Sequence, residues 1–141
     1  MTAQGHPRRI FQTAIERGNL LLAEATAREL GRLTLDESLG LTALVAEQDP
    51  ERRSRFAVRW LRRLLEEDDS LTIVEAPMAA SCLSALGGPS HDEAFGMLAA
   101  MAERATRQGR ARRRRAASTA RFPLVADQAP PPRRSFLRVR L

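Results

Sequence analysis

His6, His91 and Cys82 are the only His and Cys residues of this sequence, the side chains most often used as general base, thiolate nucleophile or soft-metal ligand. Such chemistry needs a nucleophile, a base and an orienting group held together, or several metal ligands at set spacings. Two histidines and one cysteine scattered along the chain supply neither arrangement. His91 lies in S-H-D-E, Ser90 to Glu93, where a solvated residue in the first turn of a helix is the expected role. Cys82 has no second cysteine to bridge to and reads as a small buried apolar side chain. Neither a phosphate-cradling glycine loop nor a nucleophile elbow occurs. The expectation is a noncatalytic protein without cofactor or metal.

Arginine is what the sequence has in excess. All 23 basic residues are Arg, Tyr is absent and Asn19 is the one Asn, the bias of a G+C-rich bacterial genome. The densest run is GRARRRRAAS at 109–118. Arg110, Arg112, Arg113, Arg114 and Arg115, flanked by Arg107 and Arg121, are candidate nucleic-acid contacts, electrostatic and indifferent to base sequence. Phe122 and Phe136 are the only aromatics nearby that could stack on bases. A secondary basic face is formed by Arg52, Arg55, Arg59 and Arg62, spaced 3, 4, 3, with Arg63 beside them. The same spacing fits a solvated helix face partly neutralised by Glu51, Glu66 and Glu67. Charge divides the chain: residues 1–106 carry 12 Arg against 16 Asp and Glu, whereas residues 107–141 carry 11 Arg against Asp127 alone.

The elements that must position these side chains read as helices. Phe11, Ala14 and Ile15 mark a first helix over 8–17, closed by Gly18. Asn19 caps a second, with Leu20, Ala23, Ala27 and Leu30 inward, Glu24 and Arg28 on its outer face, and Gly31 ending it. T-L-D-E at Thr34 to Glu37 is a reciprocal cap for a third helix that runs to about Gln48. Asp49-Pro50 starts a fourth, through about Glu67, burying Ala57, Trp60, Leu61, Leu64 and Leu65. T-I-V-E at Thr72 to Glu75 signals a fifth, but Pro77 is costly so soon after it, so that helix is expected to begin at Ala76 or to kink. A sixth, with Ala94, Leu98, Met101 and Ala105 inward, is expected to close at Gly109, with Arg104 and Arg107 favourable at its negative end.

Two spacings repeat. L-T-L-D-E at 33–37 recurs as L-T-I-V-E at 71–75, and Pro50 and Phe56 recur as Pro89 and Phe95. Periods of this length belong to stacked helix pairs. The stretch G-N-L-L-L-A at 18–23, with Ala27 and Leu30, resembles the turn and second helix of a tetratricopeptide-type repeat. In the later pairs Asp49-Pro50 and Gly88-Pro89 stand where that family has its Gly turn. The resemblance implies a scaffold that binds protein segments and carries no catalytic residues. A helix-turn-helix over 27–44 would put Glu37 at an apolar position and is rejected.

The sequence thus predicts an all-α fold of about six helices in three stacked antiparallel pairs. Residues 1–7 read as a flexible N-terminus, 8–107 as the helical domain and 108–141 as a disordered Arg/Pro-rich tail. Within the tail, F-L-R-V-R-L at 136–141 alternates as a strand does and could add to a partner's sheet edge. No stretch is long and apolar enough for a membrane span, and a cytoplasmic setting is expected. The functional expectation is an interaction module for a protein partner; the alternative is a nucleic-acid-associated protein gripping DNA or RNA through its tail.

Overall fold

A computed structural model describes residues 6–121, with side chains described as far as Thr119. The described chain forms six α-helices and no strand: α1 Pro7–Glu16, α2 Leu20–Leu30, α3 Leu35–Gln48, α4 Pro50–Glu67, α5 Glu75–Ala85 and α6 His91–Arg121. The expectations for residues 1–5 and 122–141 lie outside the described residues. None of the six helices is long and apolar enough to cross a membrane.

Local chemistry starts and stops these helices much where the sequence places the signals. Pro7 and Pro50 occupy first helical turns, where a missing N–H costs nothing. The Asn19 side chain accepts from Leu22 N at 3.1 Å, and Asp49 from Arg52 N at 3.3 Å. The cap at Thr34 is complete: its hydroxyl accepts from Glu37 N at 3.1 Å, and Glu37 Oε2 accepts from Thr34 N at 2.7 Å. Thr72 and Glu75 repeat that exchange at 3.2 and 2.8 Å. That exchange closes the turn ahead of the fifth helix, which starts at Glu75 without a side-chain cap of its own; Pro77 falls in its first turn, where an N–H would have no helical partner.

Three hairpin pairs, α1–α2, α3–α4 and α5–α6, make the closest packing, and the middle pair touches both others. The core has two parts on opposite sides of α3. The larger joins Leu35, Leu39 and Ala46 to Trp60 and Leu64 of α4, Leu83 of α5 and Leu98 and Ala102 of α6. The smaller joins Phe11, Ala14 and Ala23 to Leu41 and Leu44. Trp60 is 2 % exposed and donates Nε1–H to Leu35 O at 3.0 Å, so its one polar atom is satisfied within the larger core. Leu65, expected inside, lies on the solvent side of α4 at 48 % exposure.

The sixth helix departs most from expectation. It does not close at Gly109: α6 continues through Gly109 and the arginine run to Arg121, so residues 108–121, read from the sequence as part of the tail, are helical. Glycine disfavours a helix interior by only about 1 kcal/mol, and the residues beyond it are almost all Arg and Ala, among the best helix formers. Side chains one turn apart then fasten the extension to the α4–α5 connection. Arg104 Nε donates to Asp68 at 3.1 Å, Gln108 Nε2 to Ser70 Oγ at 2.8 Å, and Arg112 Nη1 to Asp69.

Candidate functional site

Short connections join α3 to α2 before it and to α4 after it. Helices α2 and α4 pack on α3 and not on each other. The space between them is a groove of about 560 Å³, within the range of about 300–1,000 Å³ common for ligand sites. Ser38, Leu41 and Thr42 of α3 lie at its floor, together with Leu33; Ala27 and Arg28 line one wall, and Arg55, Phe56, Arg59 and Arg63 the other.

An arginine of α4 is held at each end of the groove, and at one end it bridges the two walls. There Arg52 Nη1 donates to Glu24 at 2.6 Å and its Nε to Asp49, so one guanidinium joins α2 to the start of α4. That hydrogen bond is the main reason the Asp49 carboxyl sits below its ordinary pKa. At the other end Arg63 Nε pairs with Glu67 at 2.6 Å and its Nη1 reaches Thr34 O at 3.4 Å. Between the ends, Arg28, Arg55 and Arg59 are exposed and make no ion pair among the described residues. The guanidinium carbons of Arg52 and Arg59 stand 5.8 and 5.7 Å from the centroid of the Phe56 ring, at cation–π distance. The result is a cationic wall over a partly apolar floor, with Glu24, already paired, as the one acidic lining residue.

The secondary basic face is thus divided by the fold. Arg55 and Arg59 open onto the groove and Arg52 closes its end, whereas Arg62 points elsewhere and pairs with Glu66 at 2.9 Å. Glu24 and Arg28, expected on an outer face as partners of each other, both line the groove, and Glu24 takes Arg52 instead. Only Phe56, within the Arg52–Arg59 stretch, could have marked this face in the sequence as more than a solvated stripe.

The arginine run is divided too. Arg112 is held by Asp69, and Arg107 pairs with Glu103 at 3.7 Å. Arg110, Arg113, Arg114 and Arg115 lie on the outlying turns of α6, where none has an acidic partner among the described residues. Arg121 ends the helix, and its side chain is outside the described residues. Arg104 does not serve the end of a helix: it stands mid-helix and bridges buried Asp68 and Glu75, the latter at 2.6 Å. The Thr72 cap, and after it the Arg104 pair, lower the Glu75 pKa to about 2.

His91 is not a solvated first-turn residue. Its Nδ1 accepts from Gly87 N at 3.2 Å, its Nε2 lies 3.3 Å from Glu47, and its ring stacks on Phe95. This pins the α5–α6 turn to the end of α3. Cys82 is half-buried, with its Sγ 3.9 Å from Met97 Sδ. Among the described residues no cluster of three His, Cys, Asp or Glu side chains is placed to hold a metal ion. Comparison of the chain with protein-family models, with characterised proteins and with solved structures gave no match.

Proposed function

We propose that this chain is a noncatalytic interaction module of helical-repeat type, which holds a segment of a protein partner between α2 and α4. One observation carries the reading. Two helices pack on a third without packing on each other, and the gap keeps exposed arginines above a partly apolar floor. Leaving Arg28, Arg55 and Arg59 without acidic partners, within residues 1–106 where acidic residues outnumber arginines, has no evident benefit to folding. The tetratricopeptide-like reading of G-N-L-L-L-A at 18–23 belongs to the same proposal. A cytoplasmic setting goes with it and would keep Cys82 reduced.

The test compares affinity capture by the wild-type chain with capture by R55E/R59E and by R113E/R114E/R115E. The reading expects a retained protein that R55E/R59E loses and the α6 variant keeps. Loss in the α6 variant alone would reject it.

A second reading, a nucleic-acid-associated protein, is favoured by the outlying turns of α6, where Arg110, Arg113, Arg114 and Arg115 offer guanidinium groups in several directions. Four free phosphate contacts on duplex DNA predict a slope of about −4 for log affinity against log salt. The reading fails if binding is absent at physiological salt.

A further inference from the structure

The groove has a charge, a shape and a floor, and together these restrict its occupant. Arg55 and Arg59 stand one helical turn apart, about 6 Å along α4. Carboxylates at i and i+4 on a partner helix have the same rise, and residues at i+3 and i+7 of such a helix lie on the adjoining face. A short helix laid along the groove could then turn its acidic stripe toward Arg55 and Arg59 while its apolar stripe meets Leu33, Leu41 and Phe56.

The chain cannot readily supply that segment itself. Its one acidic run, Glu66 to Asp69, is fully engaged by Arg62, Arg63, Arg104 and Arg112. Residues 107–141 contain Asp127 as their single acid and would be repelled. A second copy offers Glu16, Glu29, Asp36, Glu51, Asp92 and Glu93 without ion-pair partners among the described residues, but no two of them stand three or four residues apart on one helix. Charge complementarity therefore directs the site outward, to a different protein.

Building on the interaction-module reading, we infer that the α2–α4 groove is a docking site for an acidic amphipathic helix of another protein, with its carboxylates on Arg55 and Arg59 and its apolar side chains on Leu33, Leu41 and Phe56. Arginine suits this role because its planar fork holds a carboxylate by two parallel N–H donors. The Arg52 bridge to Glu24 and Asp49 fixes the width of the groove at one end before anything binds.

The probe is a labelled, alanine-based helical peptide with Glu at i, i+4 and i+8 and Leu at i+3 and i+7. A matched peptide has Gln in place of each Glu. Anisotropy titrations use the full chain and its R55E/R59E, R55Q/R59Q and R113E/R114E/R115E variants, each verified as folded by circular dichroism. The expected result is binding of the Glu peptide that weakens at least about tenfold in both groove variants and in the Gln peptide, and persists in the α6 variant. Equal binding of the Glu and Gln peptides, lost in the groove variants, would overturn the acidic occupant and leave the interaction-module reading intact. Binding that only the α6 variant loses, or no binding by either peptide, would overturn the docking site. A single-stranded oligonucleotide that competes for Arg55 and Arg59 more tightly than the Glu peptide would assign the groove to nucleic acid and overturn the proposal.

Discussion

Asp68 shows what a single side chain contributes to this fold. Its carboxylate is fully buried and accepts from Ser70 N, Ser70 Oγ and Arg104 Nε, at 3.0, 2.7 and 3.1 Å. Removing it leaves the Arg104 guanidinium short of a partner at a site where one of its nitrogens, Nη2, is already buried without one. D68A is therefore expected to cost about 3 kcal/mol in a denaturant melt, and a double-mutant cycle with R104A to show strong coupling. Glu75 makes a prediction in pH. Its folded pKa is depressed to about 2, so the stability it adds is fully present above the ordinary glutamate range and is lost as pH falls through that range toward about 2. The fall of Tm with acid should be shallower in E75Q than in wild type. Gly87 is constrained twice over: its φ is +79°, and a Cβ would lie 2.5 Å from Ala46 O. G87A should destabilise by about 1–3 kcal/mol. At this scale the sequence is readable wherever partners are three or four residues apart, as in the Thr34 and Thr72 caps. It is silent on Arg104 and Asp68, whose meeting depends on how α6 lies across the end of α4.

At the scale of the elements, both cap glutamates do the same double duty. Glu37 accepts from Thr34 N at Oε2 and from Arg8 of α1 at Oε1; Glu75 accepts from Thr72 N at Oε2 and from Arg104 of α6 at Oε1. The repeated cap sequence thus serves twice as a seat for an arginine from another helix, a relation across elements that local spacing cannot reveal. The starts of α2, α3 and α4 follow their caps, at Asn19, Thr34 and Asp49, because a capping side chain acts within one turn. Gly109 reads in the sequence as a left-handed cap, but it lies inside α6, without a positive φ and with nothing within 4 Å of where its Cβ would be. The two conformations predict opposite effects. G109A should stabilise the protein by roughly 1 kcal/mol and raise helicity by circular dichroism, whereas an alanine at a left-handed cap would destabilise it.

For the whole molecule, position matters more than the number of arginines. The run at 110–115 is the densest in the sequence, but Arg112 is spent on Asp69 and the rest extend along one long helix, whereas the thinner stripe on α4 opens onto a groove only because α2 stands across from it. Composition and spacing could identify the stripe. They could not show that Glu24, 28 residues before Arg52, would close the end of the groove, or that Arg28 would face into it. The most direct test of this account is to record backbone amide shifts of the isotope-labelled full chain by NMR as the acidic amphipathic peptide is added. The account predicts shifts concentrated on Arg28, Leu33, Leu41, Thr42, Arg55, Phe56 and Arg59, with those of residues 110–119 unmoved. Shifts confined to the arginine run of α6, with the groove unchanged, would contradict it.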